Sequence, residues 1–183
     1  LKDLTKEIEK KISKYFLRGE IVVVSSQNPV TFIATLFACH KSNIVFCCWD
    51  GKSGKKELID LVNASGYIVP NTEDIISISK CKRKTNKKTI YGNLIITTSG
   101  STGRSKGVLL NLEIVIQNAR IAGKKILLSK YNLAQWCIDI DFSLMSALNH
   151  LFMAWHSNIP LNIITGLNET LLRRVFLSQK SGF

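Results

Sequence analysis

Short apolar runs separated by segments with helical spacing constrain the fold more than any other feature of the chain. Residues 21–24 (IVVV) are all β-branched and show no polar alternation, which is typical of a strand buried on both faces of a parallel sheet. Similar runs follow at residues 44–48 and 67–69, and residues 32–37 present an apolar helix face after Pro29. The alternation predicts an α/β fold in which β-α units form a mainly parallel sheet flanked by helices.

Two further helices are predicted in this half. The chain opens with an amphipathic helix, because apolar side chains recur at steps of three and four. They are Leu1, Leu4, Ile8, Ile12 and Phe16. A helix is also predicted over residues 57–64, with its inward side chains at Leu58, Leu61 and Val62. Gly66 is expected to cap it.

The second half repeats the pattern. Strands are predicted over residues 94–96, 108–110, 134–138 and 161–164, and helices over residues 112–121, 143–155 and 169–177. The helix over 112–121 is expected to bury Ile114, Val115 and Asn118 along one side. Asn168 is the expected N-cap of the last helix.

Length and composition limit how many domains the chain can form. With 183 residues, 45% of them hydrophobic, the chain has enough apolar material for one domain or one and a half. We predict first β-α units over 1–79, a basic loop over 80–89, and a phosphate loop with further β-α units over 90–183. The opening Leu1, in place of the Met that begins an intact reading frame, indicates that the chain is a piece of something longer.

The net charge of +12 suits an anionic partner, but six of the basic residues fall within residues 80–88. This stretch contains no aromatic residue, so a solvated loop is favoured over an anion contact and a nucleic-acid partner is disfavoured. No apolar run approaches the roughly 18 to 20 residues of a membrane span, and no signal peptide opens the chain. These features predict a cytoplasmic protein. They do not determine its oligomeric state.

Several side chains could be taken for ligands or redox groups. The cysteines are odd in number and form no C-x-x-C pair, which argues against a disulfide framework or a zinc site. Four of them, Cys39, Cys47, Cys48 and Cys137, are predicted to be core residues in a reducing compartment, and the fifth is Cys81. For Asp139 and Asp141 we favour solvation at a strand end over a paired-carboxylate or Mg²⁺ site. His150 and His156 are six residues apart, so they are expected at a helix surface or core edge, and no metal ligand is assigned.

Residues 97–107 (TTSGSTGRSKG) are rich in glycine and hydroxyl side chains between two predicted strands. Such a loop lets backbone N–H groups converge on an anion, and Lys106 adds a full positive charge. The pattern of a Walker P-loop is not met, because Ser105 and Gly107 stand where that loop needs glycine and a hydroxyl residue. The composition predicts a phosphate-binding loop, and the alternative is a flexible hairpin with no ligand.

Residues 98–108 resemble the hallmark loop T-S-G-[ST]-T-G-x-P-K-G-V of the AMP-forming, adenylate-forming enzyme superfamily. Every defined position matches except Ser105, which replaces proline, and Thr97 replaces the common aromatic residue before the motif. The resemblance implies ATP-phosphate binding by the motif residues and a catalytic contact from Lys106. The implied binding residues are Thr98, Ser99, Gly100, Ser101, Thr102, Gly103 and Lys106.

The segments before and after this motif also resemble the superfamily. Residues 21–50 and 57–68 look like its first β-α units, and residues 139–164 look like the segment that often begins with an aromatic and histidine motif. Phe142 fits the aromatic position, and Ser143 replaces the histidine. The superfamily's later motifs supply the Mg²⁺-binding Glu, the ribose-binding Asp, the hinge and, in a small C-terminal domain, a catalytic Lys. None of these motifs is present in this sequence. The resemblance therefore implies that residues 1–183 are an incomplete N-terminal region without the C-terminal domain, and the chain alone is expected to be inactive.

The resemblance implies an AMP-forming acid-thiol ligase in full-length form. Such an enzyme converts a small carboxylic acid and ATP to an acyl-adenylate and pyrophosphate, with Mg²⁺, and then uses coenzyme A as acceptor. The lead-in before Ile21 and residues 49–52 are most similar to o-succinylbenzoate-CoA ligases of quinone biosynthesis. The alternative is a truncated or degenerate nucleotide- or nucleic-acid-binding module without catalysis.

Overall fold

A six-stranded sheet with helices on both faces organises the first part of the chain. The computed structural model describes residues 1–52, 54–71, 75–81, 92–98, 106–126 and 136–164. The helices are α1 (Lys2–Ile12), α2 (Pro29–Lys41) and α3 (Lys55–Val62). The strands are β1 (Ile21–Ser25), β2 (Val45–Trp49), β3 (Gly66–Asn71), β4 (Ile75–Lys80), β5 (Leu94–Thr98) and β6 (Lys106–Leu110). No helix in the described ranges is long and apolar enough to cross a membrane.

The strand order is β4-β3-β1-β2-β5-β6. The four inner strands are parallel, and β4 and β6 pair antiparallel at the two edges. The predicted α/β fold with a mainly parallel sheet is therefore confirmed. From β2 the chain returns past β1 to form β3, so the connections after β1 and β2 leave in opposite directions. Such a divergence marks the carboxyl edge of a sheet as a place where ligands bind.

Helices α2 and α3 cover opposite faces of the sheet. The ring of Phe32 on α2 packs edge-to-face on Phe46 of β2, with centroids 4.9 Å apart. The neighbouring Cys47 belongs to a buried cluster that includes Leu58 and Ile59 of α3. Because successive strand residues point to opposite faces, these contacts define an α2 face and an α3 face. The apolar run of β1 is buried on both faces, as the sequence predicts.

The start of α2 combines the expected proline of a first helical turn with a side-chain cap that was not predicted. The Asn28 side chain accepts a hydrogen bond of 3.0 Å from the Thr31 N–H, and Pro29 occupies the first helical turn. An N-cap side chain satisfies one of the backbone donors that a helix leaves unpaired, and proline has no such donor to lose. Local sequence therefore determines where the first crossover helix begins.

Helix faces were harder to predict than helix positions. On α3, Leu61 is 47% exposed and Ile59 is buried instead. Gly66 does not cap α3, because Asn63 takes the left-handed C-cap conformation with φ 54° and Gly66 opens β3. The helix α4 (Leu112–Lys125) buries Leu112, Val115 and Ala119, whereas the predicted Ile114 and Asn118 are exposed.

Two strand predictions also need correction. Strand β4 was not predicted, although its sequence IISISK partly alternates, because an edge strand that returns antiparallel has no helix before it to mark its start. The strands β5 and β6 include Thr97, Thr98, Lys106 and Gly107, which were predicted as loop. Lys80 is the exposed last residue of β4, and the rest of the predicted basic stretch, residues 82–89, lies outside the described residues.

The chain divides into two compact units, one of Leu1–Val115 with Asp141–Met145 and one of Ile116–Ile140 with Ser146–Phe183. In the second unit, β7 (Trp136–Ile138) and β8 (Leu161–Ile163) pair in parallel. Helix α5 (Met145–His156) lies between them in the chain and buries Leu148, Phe152 and Ala154 among others. The helix predicted over 169–177 and its cap Asn168 lie outside the described residues.

The cysteine prediction is confirmed at three positions and wrong at one. Cys39, Cys47 and Cys48 are buried free thiols, whereas Cys137 is exposed on the short strand β7 and Cys81 is half-buried. Burial raises the pKa of Cys47 to about 12 and raises the pKa of Cys39 further. A thiolate is the reactive form, so both thiols are inert in the folded state.

Iodoacetamide at pH 8 is therefore expected to label Cys137 fastest and Cys81 more slowly in the native protein. Peptide mass spectrometry after a timed pulse checks this order. Cys39, Cys47 and Cys48 should become labelled only when denaturant is added, and native labelling of any of them at the rate of Cys137 would contradict the described packing.

Asn93, at the amino end of β5, makes hydrogen bonds to residues of β2, β6, α4 and α2. Its backbone accepts from the Phe46 N–H at 2.9 Å and donates to the Leu110 carbonyl at 3.0 Å. Its side-chain oxygen accepts from the Leu112 N–H at 2.8 Å, at the start of α4. Its amide nitrogen therefore faces the His40 Nδ1 at 2.6 Å, and that ring nitrogen accepts the bond and carries no proton.

Asn93→Ala is expected to lower the free energy of unfolding by about 2 kcal/mol, because the buried Leu112 N–H would lose its acceptor. The urea midpoint measures the change. Asn118→Ala, at an exposed position of α4, is the matched control and should change stability by less than about 0.5 kcal/mol. Equal midpoints for the two variants would contradict the role of Asn93.

Candidate phosphate-binding site

The predicted phosphate loop joins the two strands of an antiparallel hairpin. In the β5–β6 hairpin, Thr98 is the register partner of Lys106, and five such pairs extend down to Leu94 and Leu110. Thr98 and Lys106 are both exposed. The other predicted binding residues, Ser99, Gly100, Ser101, Thr102 and Gly103, lie outside the described residues, as does Ser105.

Strand register places both ends of this loop on one face of the sheet. Leu94 is the parallel partner of Phe46, so it lies on the α2 face. Thr98 is four residues further along the same strand and therefore shares that face, and its partner Lys106 does so too. Because β5 is parallel to β1 and β2, Thr98 and Lys106 lie at the carboxyl edge of the sheet.

The loops after β1 and β2 meet at the same edge. The Ser26 N–H donates to the Trp49 carbonyl at 2.8 Å, and the Gln27 side-chain amide donates to the Gly51 carbonyl at 2.9 Å. Gly51 has φ +80°, and a Cβ there would lie 2.8 Å from the Gln27 side-chain carbonyl carbon. The turn at Gly51 thus needs glycine for both its conformation and its packing.

Asp141 differs from its predicted environment. Its Oδ1 accepts a hydrogen bond of 2.6 Å from the Ser26 hydroxyl and another of 2.8 Å from the Ser143 N–H. The expectation of a solvated strand-end carboxylate is therefore wrong for Asp141, whereas Asp139 is exposed as expected. The Ser26 partner lies 115 residues earlier in the chain, so no local pattern could have indicated it.

Phe142, which fits the aromatic position of the family-like motif, is only 2% exposed. Its ring lies 6.3 Å from that of Phe32, centroid to centroid. Phe142 therefore contributes to the core on the α2 face, directly beside the hydrogen-bonded Asp141. The half-buried Ser143 follows it, and Leu144 is exposed.

Neither described histidine of α5 has a metal-site partner. His150 lies at the core edge, as predicted, with its ring 5.6 Å from that of Trp136 and its buried Nδ1 without a hydrogen-bond partner among the residues described. His156 is exposed at the end of the helix. Within the described ranges, no three His, Cys, Asp or Glu side chains cluster as a metal site would require.

No protein-family model matches the chain, and no curated protein matches its sequence. Solved structures match its fold. o-Succinylbenzoate CoA synthetase (MenE) from Bacillus subtilis, in complex with the acyl-adenylate intermediate OSB-AMP, aligns with a TM-score of 0.73 at 13% identity, over 96% of this chain and 51% of that one. The N-terminal subdomain of Klebsiella oxytoca NpsA, in complex with 3-hydroxyanthranilyl-AMSN, aligns with a TM-score of 0.67 at 18% identity, over 94% and 48%.

A further MenE structure, in complex with ATP and magnesium ion, aligns with a TM-score of 0.70 at 12% identity, over 96% of this chain and 53% of that one. The chain thus spans about half the length of these solved chains. At such low identity the agreement concerns the path of the backbone. The chain has the α/β fold found in the N-terminal part of adenylate-forming enzymes.

Proposed function

We propose that the full-length protein activates a carboxylic acid with ATP, forming an acyl-adenylate and pyrophosphate. The observation that supports this most is the Thr98–Lys106 register, because these two residues flank the glycine- and hydroxyl-rich segment 99–105 and pair at the carboxyl edge of the parallel sheet. A cationic side chain and a hydroxyl residue then lie at the two ends of the segment that resembles the superfamily's ATP loop. The shared fold over most of this chain agrees with the resemblance.

The chemistry follows from charge. When a carboxylate attacks the α-phosphorus of ATP, negative charge develops on the phosphate oxygens and on the departing pyrophosphate. Backbone N–H donors, hydroxyls and the Lys106 ammonium would stabilise that charge where it develops. Bound Mg²⁺ would neutralise further phosphate charge, and its ligands are expected outside this chain, in the later motif of the superfamily.

The finer assignment is an acid-thiol ligase with coenzyme A as acceptor. The resemblance at residues 49–52 favours o-succinylbenzoate as the acid. Two of the structural neighbours were solved with ligands derived from aromatic acids, OSB-AMP and 3-hydroxyanthranilyl-AMSN, so an aromatic carboxylic acid is the substrate class we propose. The buried free thiols favour a reducing compartment such as the cytoplasm.

ATP–pyrophosphate exchange tests the proposal. The full-length protein is assayed with ATP, Mg²⁺ and labelled pyrophosphate, and with o-succinylbenzoate, 3-hydroxybenzoate or 3-hydroxyanthranilate as the acid. Exchange that requires one acid would support adenylate formation and identify the substrate. Thioester formation on adding coenzyme A would support the finer assignment.

The second candidate is a nucleotide-binding module without catalysis. It is favoured by one observation, the replacement of the motif proline by Ser105, which removes a conformational restraint from the loop. This module would show an ATP-dependent rise in melting temperature but no exchange with any acid of the panel. An absent thermal shift together with absent exchange would exclude both candidates.

A further inference from the structure

The residues 141–144, here called the anchored turn, are fixed to β1 by a single carboxylate oxygen. Asp141 Oδ1 accepts the Ser26 hydroxyl at 2.6 Å and the Ser143 N–H at 2.8 Å. The Leu144 N–H donates to the Asp141 carbonyl at 3.0 Å. This one oxygen therefore joins the backbone of the turn to the residue that follows β1, and the conformation of the turn depends on Asp141.

Packing fixes the same turn from its other side. Phe142 is buried against Phe32, and Phe32 packs edge-to-face on Phe46 in the middle of the sheet. The Asp141 carboxylate also lies near Cys48, whose thiol pKa is raised first by burial, then by Cys47 and then by Asp141. The anchored turn therefore rests on the α2 face, above the carboxyl ends of β1 and β2.

The β5–β6 hairpin ends on that same face and edge. By strand alternation Ser26 shares a face with Val22 and its partner Phe46, as do Thr98 and Lys106. Strand β1 is two strand spacings from β5 and three from β6, which is about 10 and 14 Å. A nucleotide bound by the loop and a substrate that reacts with it would occupy this interval.

We propose that Asp141 is a positioning residue for the reaction at this edge, and that its hydrogen bond to Ser26 holds the anchored turn on the face and edge of the sheet where the β5–β6 hairpin also ends. The inference rests on the proposed function. Its specific content is that the hydrogen bond matters and the charge does not. Both hydrogen bonds end on the single oxygen Oδ1, so a neutral amide oxygen in the same place can accept them.

The test compares variants that remove the hydrogen bond with one that removes only the charge. Ser26→Ala should lower the turnover of ATP–pyrophosphate exchange about tenfold, and Asp141→Leu should lower it at least as much. Asp141→Asn keeps an acceptor oxygen of the same shape and should stay within about threefold of wild type. The Ser26→Ala/Asp141→Leu double variant should be no slower than Asp141→Leu alone, because both remove one interaction.

Asp139→Asn is the matched control, since Asp139 is an exposed carboxylate two residues earlier, and it should leave turnover unchanged. Equal losses in Asp141→Asn and Asp141→Leu would overturn the positioning role, because they would assign the effect to charge. Wild-type turnover in Ser26→Ala and Asp141→Leu would overturn it as well.

Amide hydrogen exchange separates this inference from the proposed function. The Ser143 and Leu144 amides should lose protection in Ser26→Ala while the amides of β2 keep theirs, whether or not the protein is active. Loss of protection with no exchange activity in the wild type would overturn the proposed function and the role of Asp141 in it. Unchanged protection would overturn the anchoring itself.

Discussion

Lys106→Ala is expected to reduce ATP–pyrophosphate exchange by about 10²- to 10³-fold, the loss typical of removing one preorganised donor to a developing negative charge, or about 2.7 to 4 kcal/mol of transition-state stabilisation. Lys106 opens β6 opposite Thr98 and is exposed, so its ammonium group is available to a phosphate. Because the pairing of β6 uses the backbone, stability should change little. Steady-state exchange at saturating acid measures the effect, and a parallel thermal melt checks folding.

Lys80→Ala provides the matched control. Lys80 is also an exposed lysine at the end of an edge strand, but it lies on β4, at the opposite edge of the sheet from β6. We expect wild-type exchange from this variant. Equal losses in both variants would indicate a general effect of net charge and would contradict a specific phosphate contact by Lys106.

Local patterns were enough to predict most elements of the fold. The β-branched run of β1 and the proline at the start of α2 are decided within a few residues, and each lies where the sequence indicated. The α/β class follows from their order. On α3 and α4, Leu58 and Val115 are buried as predicted, whereas Leu61 and Ile114 are exposed. Several apolar residues on each helix satisfy a helical period, and the contacts that select Ile59 over Leu61 come from distant strands.

At the candidate site, too, local sequence predicts contiguous motifs but not contacts between distant residues. The loop motif is a continuous stretch of sequence, so its pattern alone identifies the candidate residues, although only Thr98 and Lys106 are among those that the structure describes. The bond between Ser26 and Asp141 joins positions 115 residues apart, and neither residue is unusual in its own segment. A single sequence contains no signal for such a pair, and only the topology that brings β1 under residues 141–144 reveals it.

Gly66 shows how a residue assigned to one role can be required for another. It pairs with Lys80 where β3 meets β4. A Cβ at this position would overlap the Ser79 carbonyl oxygen and lie 2.7 and 2.8 Å from two ring carbons of Phe16. Phe16 is a buried member of the stripe that begins in α1, so neither neighbour can retreat without disturbing the β3–β4 pairing or the core.

Gly66→Ala is therefore expected to lower the free energy of unfolding by about 3 kcal/mol, at the upper end of typical overpacking costs. The melting temperature should fall by about 6 to 12 °C, given roughly 2 to 4 °C per kcal/mol for a chain of this size. Urea unfolding monitored by circular dichroism measures the change. Combining it with Phe16→Leu should cost less than the sum of the two single changes, because the smaller side chain relieves part of the overlap.

Gly107→Ala is the control within the same sheet. A Cβ at Gly107 would meet Ile95 and Val62 at 3.4 Å, close to ordinary contact distance. Since alanine also loses less backbone entropy on folding than glycine does, this variant should match or slightly exceed the wild type in stability. Equal stability of the two alanine variants would show that the close approach of Ser79 and Phe16 to Gly66 does not constrain β3.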